Sequence, residues 1–205
     1  MSLATYSDLK TAIATWSWRS DLTSDVDDLI DLTEARLNRD LRLSIMEARA
    51  TLNTAIDDEF IALPTDAIEI RKLSIQQSGA DIPLRLSSPS DLVNRYYEGL
   101  SRQPAYYAVV GTELQLAPIP DAIYSLSATY IAKVPALSDS QTTNAVLTNH
   151  PDLYLFGALA EAADLVRDAE YVARWESKYQ ACVSAAKEAD NRLKFNGTPL
   201  VERAG

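Results

Sequence analysis

Apolar residues near the N-terminus recur at helical spacing. In "TYSDLKTAIATWSW", Tyr6, Leu9, Ile13 and Trp16 stand 3, 4 and 3 positions apart and share one helix face. Thr5 followed by Asp8 is a capping-box pattern. A second helix is predicted from about Thr23 to Leu43, with Val26, Leu29, Ile30, Leu37 and Leu41 on its apolar side and Ser24 with Asp27 as a candidate cap.

From about Ala48 to Lys133 the period changes from helical to strand-like. "EFIALP" and "AIEIRKLSIQ" are short β-branched runs separated by Pro64, Thr65 and Asp66. Strict alternation in the second sets Ile68, Ile70 and Lys72 against Glu69, Arg71, Leu73 and Ile75. A further strand is predicted over Ile82 to Leu86, with Pro83 restricting it to a sheet edge. "SPSDLVNRYYEG" reads as a short helix after Ser88 or Ser90 that stops at Gly99. "AYYAVVGTELQLAP" reads as a hairpin about Gly111 and Thr112, and "YSLSATYIA" puts Tyr124, Leu126, Ala128 and Tyr130 on one strand face.

Helical periodicity returns after the polar loop "SDSQTTNAVLTN". In "LTNHPDLYLFGALAEAADL", Pro151 suits the first helical position because it has a locked φ and no N–H. His150 then becomes the N-cap, and Asp152 falls where the helix dipole favours an anion. Leu155, Phe156, Leu159, Ala163 and Val166 follow on or near one face. In the last helix Val172, Trp175, Tyr179, Cys182, Ala186, Ala189 and Leu193 alternate spacings of 3 and 4, a heptad seam that needs a partner helix or subunit. Gly197 and Pro199 stop that helix and leave a C-terminal arm.

The pattern predicts an α+β chain. An α-helical bundle domain is formed by residues 1–45 and 136–195, a β-rich and mainly antiparallel domain is inserted over 46–135, and residues 196–205 form the arm. Phe195, Pro199, Leu200 and Val201 are its candidate interface residues. On a lone subunit they lie against its own surface or stay disordered; in an assembly they dock on a neighbour.

Composition narrows the function. The 205 residues, 47% apolar and 23% charged, suffice for a globular core without disulfides or metal. One cysteine, Cys182, rules out an internal disulfide and any multi-cysteine zinc site. No signal-peptide pattern or membrane-length apolar run is present, so the chain is expected to be made in the cytoplasm, with no membrane partner. A net charge of −10 disfavours tight phosphate binding and leaves open a protein that DNA passes without sticking.

Candidate chemistry is sparse. Five aspartates between Asp21 and Asp31 suggest a calcium loop, but the turn glycine and distal glutamate are missing, and acids at a helix start explain them. His150 could enter a Ser-His-Asp triad, yet no serine has a nucleophile context. Cys182 lies on the apolar seam, which favours a packed thiol over a reactive one. The pairs Tyr96–Tyr97 and Tyr106–Tyr107 could stack bases, but strand neighbours point to opposite faces, so Tyr106 and Tyr107 cannot form one platform. No dinucleotide fingerprint, P-loop, zincin motif or nucleophile elbow occurs. No catalytic, metal or cofactor residue is assigned.

The order of these motifs resembles the head-to-tail adaptor (connector) proteins of short-tailed bacteriophages. The resemblance runs through "ATYSDLKTAIATWSWRSDLTSDVDDLIDLTEARLNRDLR", "IALPTDAIEIRKLSI", "QPAYYAVVGTELQLAPIPD", the stretch from "YIAKVPALSDSQ" to "YQACV", and the closing "FNGTPLV". It implies a non-enzymatic virion protein with a helical and a β-rich domain. It also implies a homo-oligomeric ring of twelve subunits, docked on the portal protein and carrying the tail nozzle or tail fibres, with an axial channel for viral DNA. The alternatives are another tail ring component, such as a nozzle or tail terminator, or a cell-wall hydrolase using paired acids.

Overall fold

The computed structural model describes residues 3–17, 24–77, 79–96 and 100–195. In chain order the helices are α1 (Tyr6–Ser17), α2 (Val26–Asp40), α3 (Pro89–Tyr96), α4 (Ala145–Asn149), α5 (Pro151–Leu165) and α6 (Ala169–Phe195). The strands are β1 (Glu47–Asn53), β2 (Phe60–Ala62), β3 (Ala67–Gln77), β4 (Ala80–Pro83), β5 (Arg85–Leu86), β6 (Tyr106–Val110), β7 (Glu113–Ala117) and β8 (Ser125–Ala132). Two compact units result, and the chain passes between them at Met46/Glu47 and at Lys133/Val134. Helices with antiparallel-rich sheets make this an α+β protein.

In the helical unit α5 is central, packing against α6, α2 and α1. Its sequence explains this. Leu153, Tyr154, Leu155, Gly157, Ala158, Leu159, Ala160, Ala162 and Ala163 are buried, so the helix is covered on nearly every side rather than along the single predicted stripe. Small residues let neighbours approach closely: a Cβ on Gly157 would stand 2.6 Å from Thr33 Cγ2 of α2. The predicted box at α1 is reciprocal, since Thr5 N–H donates to Asp8 Oδ2 and Asp8 N–H donates to Thr5 Oγ1, both at 3.2 Å.

The helix ends differ from expectation in three places. Thr23 lies outside the described residues, and α2 stops at Asp40 rather than Leu43. Leu41 is extended (φ −101°, ψ 141°), and the spacing of buried residues drops from four (Leu37 to Leu41) to two (Leu41 to Leu43) because a strand-like segment now places them. Ser24 does not cap α2; Asp25 holds the N-cap position and makes no side-chain capping bond. The expected loop before His150 contains α4, capped by Asn144, whose Oδ1 accepts from Leu147 N–H at 2.8 Å. His150 is therefore both the C-cap of α4 and the N-cap of α5, at φ −139° and ψ 61°, outside the α region as the following proline requires.

Along α6 the buried residues are Trp175, Tyr179, Val183, Ala186 and Asp190. The strict heptad seam slips at Cys182, half-buried beside the buried Val183, and is lost beyond Ala186, where Ala189 and Leu193 are exposed. A straight helix turns every 3.6 residues, so its inward stripe drifts away from a 3.5-residue repeat over this length.

The β unit has two four-stranded sheets, ordered β1-β8-β3-β4 and β2-β7-β6-β5, antiparallel except for β5 against β6. Leu73, Ile75, Leu126 and Ala128 of the first sheet pack on Tyr107, Leu114 and Leu116 of the second, with Leu84 between β4 and β5. Each such burial is worth about 1.5–3 kcal/mol for a large side chain. The predicted strand Ile82 to Leu86 is in fact two: it breaks at Leu84, and β4 and β5 join different sheets. Pro83 does lie on an edge strand. Alternation along β3 is broken too. Ile70 pairs with Tyr130 and Lys72 with Thr129, so Arg71 is an extra residue in the strand. That bulge lets Ile70 share the inward face with Leu73 and Ile75. The hairpin turns at Gly111 and Thr112 as predicted, with Gly111 at φ 62°. β1, "EARATLN", lacks a β-branched run and is not among the predicted strands; its pairing with β8 over seven residues makes it one.

Candidate assembly surface

The helical unit is clamped by charge. Arg36 of α2 reaches three carboxylates: Asp40 (3.7 Å from Nε), Glu161 of α5 (3.5 Å from Nη1) and Glu176 of α6, which takes a bond from Nη2. Its guanidinium also lies 4.0 Å from the ring centre of Tyr179, whose hydroxyl donates to Asp40 Oδ2 at 3.0 Å. One planar fork thus joins three helices, a geometry that lysine cannot copy. Burial alone would push the Arg36 guanidinium down, but Glu176, Tyr179 and Glu161 hold it above its usual value. The Arg36 bond holds the Glu176 carboxyl below the usual range.

A second network ties the returning chain to α2. Glu34 is buried, and its Oε1 accepts from Leu137 N–H at 2.8 Å and from Tyr154 Oη at 3.0 Å. Asn144 Nδ2 donates to Tyr154 Oη at 2.7 Å and to the Pro135 carbonyl at 2.8 Å. Desolvation raises the Glu34 carboxyl despite the two bonds it accepts. Farther along α6, Asp190 accepts from Ser44 N–H at 2.8 Å and pairs with Lys194 at 2.7 Å. Burial pushes the Asp190 carboxyl up, but these partners outweigh it and leave it below the ordinary range.

Two exposed stripes lie on this frame. On α2, Asp28, Asp31, Leu32 and Ala35 point away from α5 at i, i+3, i+4 and i+7, with Leu32 54% exposed. On the first turns of α6, Tyr171, Arg174 and Lys178 stand at i, i+3 and i+7, with Tyr171 (49%) and Arg174 exposed and Lys178 half-buried. Beside them is an aromatic cluster: Phe156 stacks on Trp175 (centroids 5.9 Å apart), and Trp16 of α1 packs on both at 6.4 and 6.1 Å. Lys178 Nζ is 4.8 Å from the Trp175 ring centre and Arg174 Cζ is 5.1 Å from it.

The residues singled out for chemistry do not converge. His150 sits at the α4–α5 junction with no capping bond from its side chain. Cys182 is half-buried on α6, and burial, then Asp152, push its thiol up to about 12. Asp27 pairs with Lys10 at 3.4 Å and accepts from Tyr6 Oη at 2.8 Å. Among the described residues no group of His, Cys, Asp or Glu could hold a metal ion, and no helix is long and apolar enough to cross a membrane. Tyr107 is in the β core, whereas Tyr106 packs on Leu92, Ala108 and Ala117, so the two do point to opposite faces. Tyr97 and the Tyr96 side chain lie outside the described residues. A cleft of about 290 Å³ in the β unit is lined mainly by apolar groups, among them Leu63, Ile68, Leu86 and Val109. Of the interface candidates, Phe195 closes α6; its side chain, with Pro199, Leu200 and Val201, lies outside the described residues.

Sequence reasoning missed Arg36 and Glu34. The i, i+4 pair Arg36–Asp40 was the available signal for the first. For Glu34 there was none, since a glutamate inside an amphipathic helix reads as solvent-facing.

Compared with known proteins, no curated protein matches the chain. A family model, SU10 adaptor protein, matches residues 4–203. The chain therefore belongs to the SU10 adaptor protein family, structural head-to-tail adaptors of phage virions that associate with portal and tail proteins.

Proposed function

We propose that copies of this chain close into a twelve-subunit ring that docks on the portal and joins it to the tail nozzle or fibres, leaving an axial channel for DNA. The observation that carries this reading is the family match over residues 4–203. Ring closure needs heterologous side-to-side contacts, for which rigid helices with exposed stripes are suitable. The net charge of −10 suits a bore that must release DNA, although screening over about 8 Å confines the effect to acids lining it. The arm with Phe195, Pro199, Leu200 and Val201 supplies apolar groups for docking.

The test is assembly with the cognate portal, read by light scattering and electron microscopy. A ring seated on the portal is expected; a chain that stays monomeric with its portal would overturn the reading. Deleting residues 196–205 should weaken docking and leave the circular dichroism spectrum unchanged. Unchanged portal affinity would remove the arm from the proposal.

A further inference from the structure

The two stripes on the helical unit have opposite character. On α2 two exposed carboxylates flank Leu32. On α6 the cations Arg174 and Lys178 lie over the buried Trp175 ring, and Tyr171 is the exposed aromatic group beside them. Each stripe spans eight residues of helix, seven steps of 1.5 Å or about 10 Å. They cannot meet within one chain. The α2 stripe is on the side opposite Thr33, which touches α5, and α6 turns its Glu176 flank, not its Lys178 flank, toward α2.

We infer that the acidic α2 stripe of one copy docks on the cationic-aromatic α6 stripe of the next, and that this is the heterologous contact closing the ring. The inference rests on the ring reading above and names its surfaces. Charge complementarity selects a second copy as the occupant. A chain of net charge −10 repels its copies, so association requires a local cationic face opposite a local acidic one. Leu32 then packs against the exposed Tyr171 ring and the stems of Arg174 and Lys178, which cover the buried Trp175. Arg174 and Lys178 pair with Asp28 and Asp31 around it, a small apolar centre with a charged rim. Because the contact joins two different faces, it propagates head to tail instead of ending at a dimer.

The test uses two full-length variants. Asp28→Lys with Asp31→Lys makes both stripes cationic; Arg174→Glu with Lys178→Glu makes both acidic. Each alone should lose ring assembly, with contact affinity reduced about tenfold or more at physiological salt, while circular dichroism stays native. An equimolar mixture should restore rings of alternating copies, with and without the portal, because every contact again joins opposite signs. Rings from either variant alone, or none from the mixture, would overturn the inference while wild-type rings leave the ring reading intact. Absence of wild-type rings under all conditions would overturn both.

Discussion

Tyr154 of α5 donates its hydroxyl proton to Glu34 of α2 across 3.0 Å, and both residues are buried. The bond joins the central helix to the helix that precedes the β unit in sequence. It also places an ionisable carboxyl where water does not solvate it.

That placement predicts a pH dependence. Burial raises the folded Glu34 carboxyl above its ordinary 4.5, so the folded chain binds this proton more tightly than the unfolded chain. The resulting stability is fully present below that ordinary value and is lost as pH rises through the raised folded value. Glu34→Gln keeps an acceptor for Leu137 N–H and Tyr154 Oη but never ionises. In urea titrations between about pH 4 and pH 8, E34Q should gain on the wild type as pH rises. A pH-independent difference would refute the account. Glu34→Leu strands both donors and should cost about 1–3 kcal/mol for each.

Gly157 should resist even alanine. The added Cβ meets Thr33 Cγ2 at 2.6 Å and Tyr179 Cε2 at 3.4 Å. Gly157→Ala should therefore destabilise by about 1–3 kcal/mol, although alanine is the better helix former by about 1 kcal/mol. Thr33→Ser deletes the obstructing methyl, so the double variant should recover most of the loss in thermal melts. Additive losses would show that the methyl is not the obstacle.

Removing the Arg36 guanidinium should loosen three helices together. Arg36→Met leaves Asp40, Glu161 and Glu176 without their shared cation. These carboxylates keep 34%, 27% and 38% of their side-chain exposure, so water offsets part of the cost, leaving about 1–3 kcal/mol. Because Arg36 lowers the folded Glu176 carboxyl, that share of stability is present above the ordinary carboxylate value and lost as pH falls through the lowered one. Acid unfolding of R36M should accordingly be shallower than that of the wild type.

Cys182 should be slow to alkylate while the chain is folded. A thiol pushed from 9.0 to about 12 holds on the order of a thousandfold less thiolate at neutral pH than an ordinary one. Asp152→Asn removes one of the two causes and should speed iodoacetamide labelling without restoring the rate seen in urea, because burial remains. Labelling of the folded wild type at the unfolded rate would contradict this environment.

Local rules were legible where the deciding partner was near in sequence. The Thr5–Asp8 box, Pro151 at the start of α5, the Gly111 turn and the edge position of Pro83 each depend on neighbouring backbone, and reading them needs no tertiary knowledge. The change of period from 3.6 to 2 and back likewise set the α+β class. The order of motifs along the chain carries the likeness to the adaptor family without any tertiary contact.

Tertiary structure decided whatever depended on a distant partner. Leu84 divides one apolar run between two sheets because Leu73 takes its N–H and the other half pairs with β6. Arg71 bulges from β3 so that Ile70, Leu73 and Ile75 match alternate residues of β8. The exposure of Leu193 and the burial of Asp190 follow from helical drift against a fixed neighbour. Glu34 and Arg36 look like ordinary surface charges until α5 and α6 close over them. Sequence by itself determined the periodicities, the caps and the family; packing alone decided which charges became buried clamps and which stripes stayed exposed, because burial depends on residues far away along the chain.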